Sequence, residues 1–181
     1  AGRYQRVNLE ASFMSDMRYA KANYQIQQYI PLNKKYTIAL NGELGWGKGL
    51  GGNSYPIFKN FYSGGLGSVR GFEQGSLGRR DTVNTNLALG GTRKLTLNGE
   101  FMVPFPGAGN DRTLRLFGFV DVGNVWAEGE SMDLGTLRAS TGIGISWISP
   151  LGPLRLAYAQ PIRKETGDRI QKLQFQIGTS F

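Results

Sequence analysis

Leu173-Gln174-Phe175-Gln176-Ile177-Gly178-Thr179-Ser180-Phe181 alternates at every step. Leu173, Phe175, Ile177, Thr179 and Phe181 take one face, and Gln174, Gln176, Gly178 and Ser180 take the other. A period of two with one greasy face and one polar, uncharged face suits a strand with lipid on one side and a wet lumen on the other. A half-buried strand of a soluble sandwich gives the same local pattern, so the decision falls to the segments upstream.

Those segments repeat the pattern. Alternation marks candidate strands at Tyr4 to Phe13 (Val7, Leu9, Ala11 and Phe13 outward), Tyr19 to Ile30, and Tyr36 to Gly47 (Ile38, Leu40, Leu44 and Trp46 outward). Others run from Gly91 to Val103, Leu114 to Trp126, Leu137 to Ile148 and Leu154 to Ile162, giving about eight with the terminal one. Short polar connectors at Ser15, Asp16 and at Asn33, Lys34, Lys35 read as hairpin turns, as does Glu165 to Asp168. Most of these strands exceed the ~5–6 residues usual in soluble sheets and match the ~9–11 that cross a bilayer at a tilt. The expected fold is all-β: an antiparallel transmembrane β-barrel of meander strands. Between roughly residues 48 and 90 the alternation fails in a stretch rich in Gly, Asn and Ser, a connection so long that it is expected to be functional or disordered.

Composition fits that fold. No run approaches the ~20 apolar residues a membrane-spanning helix needs. Mean hydropathy is -0.30, polar overall, as expected where inward side chains face water. The 27 glycines and 12% aromatics suit close backbone approaches and aromatic girdles. With no Cys there is no disulfide framework or thiolate metal site, and with no His the Ser-His-Asp arrangement is excluded. No cofactor or metal site is expected, and no enzyme activity. The net charge of +8 comes from Lys and Arg spread along the chain with no long basic run, which reads as lumen and loop charge and not as a nucleic-acid face. Ala1 to Glu10 lacks the apolar core of a signal peptide, so an exported protein with this sequence is expected to be a mature piece or a carboxyl-terminal portion.

Parity locates one candidate site. On the strand Leu114 to Trp126, Asp121 points inward with Arg115, Phe117, Phe119 and Gly123, and Glu100 points inward on the preceding strand. Two converging carboxylates ask for a cation, and Arg70 in the long loop can serve both with its fork of donors while stacking on Phe119. The other readings are a pair of solvated lumenal acids with unrelated roles, and a paired-carboxylate hydrolase, for which nothing marks a substrate pocket. The glycines at Gly45 to Gly52 and Gly64 to Gly71 lack the Lys-Ser or Lys-Thr pair and the helix start of a phosphate cradle. Parity is least safe near Gly99, Gly118 and Gly123, where a bulge would exchange the faces.

Asn60-Phe61-Tyr62-Ser63-Gly64-Gly65 leading to Val69-Arg70-Gly71-Phe72 resembles the motif in the long sixth extracellular loop of the BamA family of outer-membrane assembly factors, whose superfamily also includes TamA. Phe119 to Trp126, Ser149-Pro150-Leu151-Gly152-Pro153-Leu154, Tyr158-Ala159-Gln160-Pro161 and Phe175-Gln176-Ile177-Gly178 are similar in order and spacing, so the resemblance covers nearly the whole chain. It implies that the loop folds back into the barrel, with Val69, Arg70, Gly71 and Phe72 against a wall that carries Glu100, Phe119 and Asp121. It also implies a terminal-strand signal at Phe175, Ile177, Gly178 and Phe181. The implied activity is folding and inserting client barrels into the outer membrane of a Gram-negative bacterium, without ATP or metal, through a seam between first and last strands beside locally thinned lipid. The loop motif is shared with two-partner secretion transporters, so a protein-translocating pore is the alternative.

Family members carry periplasmic POTRA domains and sixteen strands. Residues 1–181 therefore resemble only the carboxyl-terminal part of the barrel, with the POTRA domains that bind accessory lipoproteins absent and the long loop at about 48–90. Eight strands close around an interior just wide enough for side chains, and an open edge in lipid is costly. The expectation is either a small closed barrel with its loop expelled or two copies pairing edge to edge into a larger one, with pairing preferred.

Overall fold

A computed structural model describes residues 2–14, 17–109, 113–150 and 152–178. Its strands are β1 (Gly2–Met14), β2 (Met17–Pro31), β3 (Thr37–Gly49), β4 (Gly71–Phe72), β5 (Arg93–Pro104), β6 (Leu114–Trp126), β7 (Arg138–Ser149), β8 (Gly152–Arg163), β9 (Ile170–Gln171) and β10 (Leu173–Ile177). Eight of them form one antiparallel meander in the order β1-β2-β3-β5-β6-β7-β8-β10. Among the described residues β1 and β10 are its two edges and do not pair with each other.

The faces separate as alternation requires. Val7 pairs with Tyr24, Tyr24 with Leu44 and Leu44 with Leu95, so one apolar row crosses four strands on the outer face. Leu9, Leu40, Leu97, Val120, Ile143, Leu156 and Phe175 stand exposed on that face, as lipid-facing residues do. Opposite them, Tyr4 and Arg6 of β1 line the same cavity as Arg155 of β8 and Gln176 of β10, so the sheet curls until its ends face one hollow of about 610 Å³. The core is thus the concave side, filled largely by the loop between β3 and β5.

Parity holds at its three weakest points, and other expectations are corrected. The register runs unbroken through Gly99, Gly118 and Gly123; the irregularity lies between Ala139 and Ser140, opposite Pro161 and Arg163, where a proline that cannot donate is tolerated. The long loop is neither featureless nor expelled. It holds a 3-10 turn at Ile57–Lys59, strand β4, and bridges Phe61↔Gly91 and Arg80↔Ala88, and it packs on the inner wall, unlike the closed eight-stranded barrel considered from sequence. Among the described residues the terminal strand covers Leu173–Ile177, and Gly178, with a left-handed φ of 88°, donates its N–H to Pro153 O of β8 at 2.8 Å. Ser15, Asp16, Leu151, Thr179, Ser180 and Phe181, named in the sequence reading, lie outside the described residues.

Candidate functional site

The loop reaches the wall as a tight double turn. Gly65 N–H donates to Val69 O (3.0 Å), Leu77 N–H to Ser63 O (3.0 Å) and Gly75 N–H to Gly64 O (3.2 Å). Gly64 and Gly65 hold φ of 111° and 97°, and a Cβ on Gly65 would lie 2.0 Å from Gln74 Oε1. Those glycines therefore let the backbone fold on itself without a side-chain clash. The turn pushes Val69, Arg70 and Phe72 into the wall, all at most 2% exposed.

Arg70 meets both carboxylates. Its Nε and Nη2 donate to Asp121 Oδ2 and Oδ1 at 2.6 Å each, its backbone N–H to Oδ2 at 3.0 Å, and its Nη1 to Glu100 Oε1 at 2.5 Å. The guanidinium lies 3.7 Å from the centroid of Phe119 and 5.6 Å from that of Phe117. A planar, delocalised cation suits such a buried fork, since it can grip Asp121 with two parallel donors, reach Glu100 with a third and lay its face on Phe119, as an ammonium cannot. Asn98 completes the shell of Asp121, donating to Oδ1 at 2.9 Å and to Ser68 O at 2.6 Å, while Asn41 donates to Asn98 Oδ1. Every carboxylate oxygen of Asp121 thus has a donor, as a fully buried charge requires.

Of the residues expected from sequence, the structure brings Val69, Arg70, Gly71, Phe72, Glu100, Phe119 and Asp121 into one cluster on the inner wall. It places Phe175 and Ile177 on the outer face, 73% and 65% exposed, and Gly178 just past the strand end.

Three groups escaped the sequence reading. Arg155 Nη2 donates to both oxygens of Glu100 at 2.9 Å and its guanidinium stands 4.7 Å from the Phe117 centroid. Strand parity, with Leu154, Leu156 and Tyr158 outward, would have placed it there. Gln174 receives the Gly71 N–H at 3.3 Å and donates to Phe72 O at 2.7 Å; its position on the polar face was visible, its partner was not. Lumen-facing glycines form sockets: a Cβ on Gly142 would lie 2.7 Å from Phe119 Cζ, one on Gly144 2.3 Å from Phe117 Cζ, and one on Gly123 2.8 Å from Val69 Cγ2.

A second anchor holds the other end of the loop. Lys59 Nζ sits 2.5 Å from Glu10 Oε1, Tyr19 donates to the same carboxylate oxygen, and Lys21 Nζ donates to Lys59 O at 2.8 Å beneath the Phe61 ring. Hydrogen bonding to Glu10 and then to Tyr19 holds Lys59 above its usual range. Burial pushes the Tyr55 phenol up to about 12, so it stays protonated and donates to Lys59 O at 3.0 Å. Gly45 and Gly47 face the rings of Phe61 and Tyr55 with no room for a Cβ. No group of three or more His, Cys, Asp or Glu side chains able to hold a metal ion occurs among the described residues.

The model of the Omp85 superfamily domain matches residues 1–181. The chain is 37% identical over 204 residues to the outer membrane protein assembly factor BamA of Neisseria meningitidis serogroup B, across 97% of this chain and 26% of that protein. It is 25% identical to a SAM50-like protein of Schizosaccharomyces pombe, across 99% of this chain and 40% of that protein. The crystal structure of BamA from Haemophilus ducreyi lacking POTRA domains 1-3 matches with a TM-score of 0.87 and 30% identity, over 97% of this chain and 38% of that one. The chain therefore spans about a quarter of the first of these relatives, and its eight-stranded antiparallel sheet has the fold of part of a BamA-type transmembrane barrel.

Proposed function

We propose a function that proceeds from one premise: the chain belongs to the Omp85 superfamily. It is the carboxyl-terminal part of the barrel of an assembly factor that folds client β-barrel proteins and inserts them into the bacterial outer membrane. It is not an enzyme. The observation that carries this reading is the buried latch of Arg70 on Asp121 and Glu100, which pins a long loop against the inner wall of the sheet. An open edge offers unpaired N–H and C=O groups to an incoming extended chain. A seam opened between the first and last strands of the whole barrel would serve client strands in this way, and outer-membrane lipid covers the apolar outer face. The POTRA domains and the lipoproteins they engage belong to the longer protein of which residues 1–181 are a part.

The test uses the full-length protein in lipid vesicles with a urea-unfolded outer-membrane barrel as client, and folding is followed on unheated gels. Folding faster than in empty vesicles is expected. Equal rates would sink the assembly reading, and conductance that rises when residues 48–90 are deleted, without faster client folding, would favour a translocating pore.

The isolated 181-residue chain has two bare edges, and each unpaired backbone group costs several kcal/mol in hydrocarbon. We expect it to refold in detergent as two copies joined edge to edge. Light scattering corrected for detergent should give twice the chain mass of 19.9 kDa; a folded monomer would rule out this pairing.

A further inference from the structure

The outer face gives β10 little protein to hold. Leu173, Phe175 and Ile177 point away from the sheet and are 59%, 73% and 65% exposed. Among the described residues its ladder to β8 runs from Leu173↔Tyr158 to Ile177↔Leu154, flanked by Ala159 N–H on Lys172 O and Gly178 N–H on Pro153 O at 2.8 Å each. On the inner face Gln174 is 6% exposed, and both ends of its amide are engaged by the loop: Oε1 by Gly71 N–H, Nε2 by Phe72 O. An acceptor facing a donor and a donor facing an acceptor fix the amide in one orientation. The connection just before β10 joins the same segment. Gly71 pairs with Gln171 and Phe72 with Ile170, Glu73 N–H donates to Arg169 O at 2.9 Å, and Arg169 Nε lies 2.5 Å from Glu73 Oε2. The residue next to the Arg70 latch is therefore also the residue that holds the last strand.

We propose that Gln174 is a positioning residue that ties the terminal strand to the docked loop: β10 stays in register with β8 while Gly71 and Phe72 are in place, and loosens when they leave. The tie makes the loop a control on the edge offered to an incoming extended segment of an unfolded barrel protein. That purpose rests on the assembly reading above; the tie itself does not.

Hydrogen–deuterium exchange on the full-length protein in lipid vesicles tests it. Gln174→Met keeps the side-chain length and removes both hydrogen bonds. Exchange across residues 170–178 and 69–73 should quicken roughly ten- to thirty-fold, as expected for two buried hydrogen bonds lost from a local opening unit, while residues 93–104 stay unchanged. Arg70→Ala should quicken 170–178 as well, and should add nothing there once Gln174 is Met, because both changes cut the same connection. Should Gln174→Met fail to fold, Gln174→Asn, one methylene shorter, should shift the same peptides by a smaller factor. Unchanged exchange at 170–178, a uniform rise over all strands, or additive effects of the two changes would overturn the tie. The expected exchange pattern with client folding at the wild-type rate would support the tie and count against the assembly reading.

Discussion

Arg70→Ala is expected to lower the stability of the folded protein by about 3–5 kcal/mol, the range for removing one partner of a buried ion pair. Asp121 is fully buried and would lose both guanidinium donors in one substitution, keeping the Asn98 amide and the backbone N–H of residue 70. The backbone N–H of residue 70 could still donate only if the loop stayed docked, and the cation that holds it there would be gone. Arg70→Lys should recover part of the loss, since an ammonium restores charge without the planar fork or the stacking on Phe119. Denaturant unfolding in detergent, with retention of the compact form on unheated gels as a second readout, measures both variants. A loss below about 1 kcal/mol for Arg70→Ala, the scale of a solvated surface pair, would mean that the latch contributes no more than an exposed ion pair.

Gly144→Ala is expected to cost about 2–3 kcal/mol, at the upper end for overpacking, although it adds a single methyl group. That methyl would sit 2.3 Å from Phe117 Cζ and 2.5 Å from the backbone oxygen of Leu156. The ring also borders the Arg155 and Arg70 guanidiniums, 4.7 and 5.6 Å from its centroid, so its displacement would disturb the charge cluster. Gly118→Ala is the control. Its Cβ would meet nothing nearer than Gly142 O at 3.9 Å, and it should change stability by less than about 0.5 kcal/mol, as surface substitutions do. Unfolding midpoints of the two variants decide the matter; equal midpoints would mean that the socket gives way freely.

Strands with one face in lipid and one in a lumen write their fold in a period of two, and the sequence from Leu114 to Trp126 was read to the residue. The Arg70, Glu100 and Asp121 cluster was legible for a related reason: parity put two acids on one face, and elementary electrostatics asked for a cation. Arg155 obeys the same parity and could have been found. What parity cannot supply is where a loop touches a face. Gln174 looked like one polar lumen residue among several until the backbone of Gly71 and Phe72 was placed beside it. Gly142 and Gly144 looked like ordinary strand glycines until the rings opposite were seen. The pairing of β4 with β9 joins two-residue segments a hundred positions apart, too short to show a period and too distant for any local signal.

Glu100 and Asp121 are not equivalent once the loop moves. Glu100 is shared, and if Arg70 withdrew, Arg155 would still hold both of its oxygens from the wall itself. The remaining side-chain donor described for Asp121 is the neutral Asn98 amide, so undocking would leave its charge without the guanidinium. Were the loop to leave, its redocking would be favoured chiefly by Asp121, while Glu100, already paired with Arg155, would gain less from the returning guanidinium.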